Sequence, residues 1–255
     1  MVKDKVLFIT GAAQGIGYEI SKAFYEAGAL VVLTDVNEEK VRNAAADLGS
    51  RAIGLKCDVT NEQDIQRAID ASIEQFGRID ILINNAGLQH VAMLEDFPTE
   101  KFELLVKIML TAPFIATKLV LPHMRRQKFG RILNMASING LVGFAGKAAY
   151  NSSKHGVIGL TKVAALETAT DGITVNAICP GYVDTPLVRN QLEDLAAVRG
   201  VPIEFVLDEV IYPLVPQKRL LDVKEIADLA LYLASDSAKG ITGQAVVLDG
   251  GYTVQ

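Results

Sequence analysis

Seven short apolar runs, separated by longer stretches of helical period, constrain this chain more than any other feature of its sequence. Val6–Thr10, Leu30–Thr34, Ala52–Cys57, Ile79–Asn84, Arg131–Met135, Thr174–Ile178 and Ala245–Leu248 are β-branched or leucine-rich, and most end against Gly, Asn or Asp. Continuous apolar runs of this length read as strands buried on both faces. Between them Ile16, Ile20, Ala23, Phe24 and Ala27 keep helical spacing, as do Ile65, Ala68, Ile69, Ile73 and Phe76. Gly28 and Gly77 stand where helix C-caps are expected. Strand–helix alternation from end to end predicts an α/β fold, a parallel sheet with helices on both faces. The 255 residues, 50% hydrophobic, suffice for one such domain with a large core. No internal repeat, low-complexity stretch or linker divides residues 1–255. Only the segment from about Asp184 to Arg219 breaks the regularity, with several prolines and mixed polarity. Long excursions of this kind are often lids or binding loops, and a substrate lid is expected there.

Charge and composition exclude several classes. The chain carries 25 Lys+Arg against 30 Asp+Glu, a net charge of −5, whereas nucleic-acid binding calls for a basic face. No uninterrupted apolar run approaches the roughly 18 residues of a membrane span. The opening MVKDKVLFIT is not a signal peptide, so a cytoplasmic protein is expected. Cys57 and Cys179 lie far apart and read as free, buried thiols of a reducing compartment. His90, His123 and His155 lack ligand spacing, and no metal is expected.

The first strand runs into Thr10-Gly11-Ala12-Ala13-Gln14-Gly15-Ile16-Gly17, directly before the first helix. A strand, a glycine turn and a helix in that order let backbone N–H groups and a helix N-terminus approach a pyrophosphate. A glycine cluster alone could equally be a plain tight turn. The second strand, however, leads to Asp35, about twenty residues on, where an acid would accept bonds from a ribose diol. A carboxylate there repels a 2′-phosphate, so NAD is expected over NADP.

Tyr150 and Lys154 lie four apart at the start of a long helical stretch and share one face. An ammonium beside a phenol lowers a pKa of about 10 and makes the tyrosine a usable acid/base. Ser137, upstream, can hydrogen-bond a substrate oxygen. In isolation such a pair is as readily a surface pair; it gains weight from its neighbours in the sequence.

Thr10–Gly17, Asp58-Val59, Asn84-Asn85-Ala86-Gly87, Ser137, Tyr150 with Lys154, and Pro180-Gly181 together resemble the short-chain dehydrogenase/reductase family, in order and over essentially the whole chain. The resemblance implies a Rossmann-like, doubly wound sheet of seven parallel strands, a nicotinamide cofactor and a homotetramer. It implies that Tyr150 is the proton donor or acceptor, that Lys154 holds the nicotinamide ribose and that Ser137 orients the reacting carbonyl. Asp58 and Val59 would flank the adenine, Asn85, Ala86 and Gly87 would form the cofactor floor, and Ile16 would give a backbone contact. Pro180, Gly181, Val183 and Thr185 would complete the cofactor site, the last two at the carboxamide.

Further stretches, among them Leu88–Ala92, Gly140–Gly143, Gly146–Tyr150 and Thr185–Val188, are similar to the branch of the family that interconverts D-3-hydroxybutyrate and acetoacetate. That likeness implies a small anionic substrate held by Gln89, Lys147 and Gln191. Asn139 stands where that branch has His, and Tyr182 and Tyr252 stand where it has two tryptophans. A small anionic ketone needs one cation and several N–H donors whatever its relatives are, and Lys147 lies three residues before Tyr150. Met109 replaces a family Asn assigned to a water-mediated proton relay. Two other readings stand beside this one. The first is a dehydrogenase or reductase of another small ketone, a sugar or a 3-oxoacyl thioester. The second is a catalytically weak, NAD-binding regulatory protein.

Overall fold

Successive side chains of a strand point to opposite sides of its sheet, so an apolar strand needs cover on both faces. The computed structural model, which describes residues 2–189, 192–193, 196 and 200–254, shows how that cover is supplied. The strands are β1 (Val6–Thr10), β2 (Leu30–Asp35), β3 (Ala52–Lys56), β4 (Ile81–Asn84), β5 (Gly130–Met135), β6 (Ile173–Pro180) and β7 (Ala245–Leu248). They form one seven-stranded sheet in the order β3-β2-β1-β4-β5-β6-β7, every pairing parallel. On one face Leu7, Ile9, Val31 and Leu33 pack against α1 (Gly15–Glu26), α2 (Glu38–Leu48) and a later helix, Val223–Ala234. On the other, Val6, Phe8, Val32 and Ile132 meet α3 (Glu62–Phe76), α5 (Ala112–Gln127) and the C-terminal part of α6 (Ala148–Thr168). This is the expected doubly wound α/β fold.

All seven apolar runs are strands; only their ends shift. Pairing in the fourth begins at Ile81, because the buried Asp80 just before it accepts the Val6 N–H at 3.0 Å and pairs with Arg78. The second extends to Asp35 and the sixth to Pro180, both at the C-terminal edge of the sheet. Gly77 caps α3 with a φ of 77°, and Gly28 follows α1 with a φ of 91°. Cys57 and Cys179 are free and buried.

One expectation needs correction. The helical stretch Thr99–Gln127 is long and apolar enough, by length and composition, to cross a membrane. It comprises α4 (Thr99–Val106), a π-helical turn over Lys107–Thr111, and α5. Scattered polar residues hide its apolar character from a search for uninterrupted runs. Here it is a core helix: Ala112, Ala116, Val120 and Met124 are buried against the sheet.

The strand order reverses direction between β1 and β4, which opens a crevice beyond their C-terminal ends. Open α/β sheets bind ligands at such a switch point. The turn Thr10–Gly17 and the run Asn84–Gly87 border it.

Candidate active site

The glycine turn is sewn to the end of β4. Thr10 Oγ1 accepts the N–H groups of Asn85 and Ala86 at 3.0 and 3.1 Å, while Asn85 Nδ2 donates to the carbonyls of Thr10 and Gly11. Only glycine fits here. Gly11 has a φ of 63°, and a Cβ on it would lie 2.7 Å from Ala86 Cα; one on Gly17 would lie 2.4 Å from the Gly11 carbonyl oxygen. Gln14 precedes α1 in an extended conformation, and its side chain does not cap the helix. The first N–H groups of α1 are therefore left for a ligand, the arrangement that suits a phosphate. Asp35 ends β2, and its carboxylate accepts Ala13 N–H at 3.2 Å and Asn37 N–H at 3.0 Å. These bonds fix its direction at the edge of the crevice.

A cavity of about 520 Å³ follows from this turn to the end of β6. Gly11, Gln14, Gly15, Ile16, Gly17 and Asp35 line one end, and Val59, Asn85, Ala86 and Gly87 its middle. Ser137, Tyr150, Lys154, Pro180, Gly181, Val183 and Thr185 line the other. Every residue expected at the cofactor is there except Asp58. Its Oδ1 accepts the N–H and hydroxyl of Thr60 at 2.9 and 2.8 Å, and the adjacent Cys57 and Val59 line the cavity. Val36, Leu88, Ile108, Met135, Ala136 and Val188 also line it and were not foreseen. Most are apolar residues next to foreseen ones, with no pattern of their own to mark them.

Ser137 follows β5, and Tyr150 and Lys154 sit one turn apart on α6. Gly140 brings these segments together: a Cβ there would lie 2.7 Å from the Lys154 carbonyl oxygen. The Ser137 hydroxyl also accepts Asn139 N–H at 3.1 Å. Burial pushes the Tyr150 phenol above its ordinary value, and a hydrogen bond with Ser137 works against that rise. The expected lowering by Lys154 is absent. Its Nζ donates to the Met135 carbonyl and lies 5.4 Å from the Tyr150 ring centroid, and burial of the phenol outweighs it. Burial pushes Lys154 itself down to about 8.

Beneath these groups lies a buried polar chain that the apolar pattern concealed. Asn84 of β4 donates to Asn134 of β5, and Asn134 donates to Thr161 of α6. An Asn inside the run Arg131–Met135 was its only mark in the sequence. Met109 is 1% exposed within the π turn and packs beside Ala86, Ala149 and Tyr150. The turn thus forms around a methionine, with no side-chain amide at that position.

A second cavity of about 50 Å³ shares Ser137, Tyr150, Gly181 and Val188 with the first. Ile138 lines it too, with Gln89, Asn139, Lys147 and Tyr182, four of the six residues expected at the substrate. Tyr252 stands behind Tyr182, ring centroids 6.2 Å apart, and does not line the cavity. Gln191 lies outside the described residues. Lys147 is 4% exposed, and burial alone pushes it down to about 8. Val206, Ile211 and Val215, from the irregular segment after Asp184, cluster with Phe144, Tyr182 and Tyr252.

Comparison with known proteins agrees with this geometry. A family profile described as enoyl-(acyl carrier protein) reductase matches residues 11–253. The uncharacterized oxidoreductase YxjF of Bacillus subtilis is 61% identical, with both chains covered completely. The D-beta-hydroxybutyrate dehydrogenase of Rhizobium meliloti is 41% identical over 98% of this chain and 99% of its own. Among solved structures, an actinorhodin polyketide ketoreductase with NADPH superposes with a TM-score of 0.94 at 36% identity, covering 98% of this chain and 97% of its own. The chain belongs to the short-chain dehydrogenase/reductase family, and is accordingly an oxidoreductase that acts on CH–OH groups with a nicotinamide cofactor.

Proposed function

We propose that the protein interconverts a short 3-hydroxy acid and its 3-keto acid, D-3-hydroxybutyrate and acetoacetate above all, with NAD as cofactor. The observation that carries this reading is Lys147. A buried ammonium is costly unless an anion meets it, and this one stands in the wall of a small cavity that opens on Tyr150. Gln89 and Asn139 add amide donors there. A cavity of that size suits a few carbons, and the family resemblance of the surrounding stretches points to the same substrate.

The chain fits a dinucleotide. The cradle at Gly11 and Gly17 is one a Cβ would fill, the α1 N-terminus suits the pyrophosphate, and Asp35 suits a ribose diol while opposing a 2′-phosphate. Bound near Tyr150, the nicotinamide supplies a hydride acceptor or donor. The residues do the rest. Lys147, Gln89 and Asn139 hold the carboxylate end of the substrate, and Ser137 bonds its reacting oxygen. Tyr150 takes the hydroxyl proton in oxidation and returns it in reduction. Lys154, a cation one helical turn away, would hold the nicotinamide ribose, as the family resemblance implies. Val206, Ile211 and Val215, described residues of the segment after β6, pack with Phe144 and Tyr182 beside the smaller cavity, where a substrate lid would sit.

A homotetramer belongs to the same proposal: Phe114, Val163 and Leu166, at 49%, 53% and 80% exposed, leave apolar surface on α5 and α6 for other copies. Leu166→Glu should shift the mass measured by light scattering toward smaller species.

The deciding experiment is NAD⁺ reduction by the purified protein with D-3-hydroxybutyrate, run beside L-3-hydroxybutyrate and neutral secondary alcohols. The reading requires turnover with the D-acid in clear excess over the rest. Preference for a sugar, a neutral alcohol or a 3-oxoacyl thioester replaces it.

A further inference from the structure

The Lys147 ammonium has no carboxylate near it among the described residues, yet it is held in place. Its Nζ lies 4.6 Å from the centroid of the Phe144 ring and 5.9 Å from that of Tyr182. The local backbone makes this possible. Lys147 N–H donates to the Phe144 carbonyl at 3.3 Å, closing a tight turn at the start of α6. Gly146 completes the turn with a φ of 82°, which lets the lysine double back over the phenyl ring, and its carbonyl is pinned by Ala92 N–H at 3.0 Å. At Gly146 a Cβ would also press to 3.1 Å on Val91 Cγ1, so the turn calls for glycine twice over.

An aromatic face stabilises a cation through its quadrupole without a formal charge of its own. A carboxylate in the same place would neutralise the ammonium and compete with any incoming anion. A purely aliphatic wall would leave the cation desolvated with nothing in exchange. The ring lies between these limits: it makes the buried ammonium tolerable and leaves its charge unspent.

We propose that Phe144 is a specificity-determining residue, its ring seating the Lys147 ammonium so that the charge is kept for the carboxylate of the substrate. The proposal rests on the carboxylate reading of the smaller cavity given above. Phe144 acts through Lys147 and is a positioning residue. Its ring also clusters with Tyr182 and with Val206, Ile211 and Val215 of the segment that follows β6, so the seat and the cover over it are one apolar unit. An anion drawn to Lys147 would meet a cation that is itself 4% exposed, and an ion pair taken partly out of water is stronger than one in it.

The test separates the π face from bulk. Phe144→Leu keeps an apolar side chain and removes the face; Phe144→Tyr keeps the face. Steady-state reduction of acetoacetate and of neutral 4-hydroxy-2-butanone is measured for wild type and both variants, with NADH fluorescence titration to verify the cofactor cleft. The expected result is a roughly fivefold to tenfold rise in KM for acetoacetate in Phe144→Leu, the size of a desolvated cation–π contact. KM for the neutral ketone moves less than twofold, and Phe144→Tyr stays close to wild type on both. If Phe144→Leu fails to fold, Phe144→Met is read in the same way. A wild type that prefers the anion, with a leucine variant that shifts both substrates equally or neither, overturns the seat alone. A wild type with no preference for the anion overturns the carboxylate reading and the seat together.

Discussion

Asn84 Nδ2 donates to Asn134 Oδ1 at 2.7 Å, tying the strand that leads into Asn85–Gly87 to the strand that leads into Ser137. Asn134 Nδ2 extends the tie to Thr161 Oγ1 at 2.9 Å, two helical turns beyond Lys154. The three catalytic candidates therefore hang from a single buried polar chain. Asn134→Leu should remove both bonds at once, leaving Asn84 only a 3.5 Å contact with Thr117 and Thr161 only its bond to the Val157 carbonyl, at a cost of about 1–3 kcal/mol. Thermal unfolding should show a Tm lower by several degrees, and kcat should fall with it because β5 and α6 lose their common anchor. An unchanged Tm would mean that water or repacking replaces the chain.

Tyr150→Phe should lower turnover by about 10²–10⁴, the usual worth of a positioned acid/base. The hydroxyl is directed at Ser137, and the dinucleotide is held chiefly elsewhere. NADH affinity by fluorescence titration should therefore stay within a few-fold of wild type. Substantial residual turnover would remove Tyr150 from the chemistry.

Lys147 should show opposite effects on binding and on stability. Losing a hydrogen bond to a charged group costs about 1.5–3 kcal/mol, so Lys147→Met should raise KM for acetoacetate by roughly tenfold or more and barely touch a neutral ketone. The wild-type lysine titrates at about 8 in the folded protein, below its ordinary 10.5. Its folded pKa is depressed, so the unfolded chain binds more protons between these values. The penalty is full below pH 8 and is relieved as pH rises toward 10.5. Lys147→Met should accordingly raise the Tm at pH 7 by the equivalent of about 2–3 kcal/mol, and the gain should shrink above pH 8. Over the same range KM for the anion should climb in the wild type and not in the variant.

If NAD is the cofactor, as proposed, Asp35→Ala should weaken NADH and relieve the exclusion of NADPH, because a carboxylate set to bond a ribose diol would also oppose a 2′-phosphate. Competing turnover with the two reduced cofactors measures this directly. Equal efficiency of wild type with NADPH and NADH would show that Asp35 does not discriminate.

Local signals carried most of the fold. A run such as Val6–Thr10 announces a buried strand by composition alone, and the glycines at 11, 15 and 17 announce the turn that follows. The Tyr150–Lys154 spacing survives into three dimensions because both residues lie on one helix. Contacts set by sheet register were invisible. Asn84 and Asn134 are fifty residues apart and meet only because β4 and β5 align Asn84 with Asn134. The Phe144–Lys147 contact depends on a left-handed glycine between them, which the motif Gly146–Tyr150 contained without revealing its shape. Asp58 stands beside the cavity with one carboxylate oxygen already taken by the N–H and hydroxyl of Thr60, two residues on, a local bond that the motif did not reveal.

The π turn over Lys107–Thr111 divides one continuous rod between two duties. Ahead of it, Leu105 packs with Ile108, Met109 and Ala149 around Tyr150; behind it, Ala112, Ala116 and Val120 press on the sheet. A π turn holds one residue more than an α turn, and each α-helical residue is worth about 100° of rotation. The extra residue is therefore absorbed within the turn, and the faces on either side keep nearly the relation they would have along an unbroken α-helix. The rod can thus hold Met109 beside Tyr150 in its bulge without turning the following face away from the sheet.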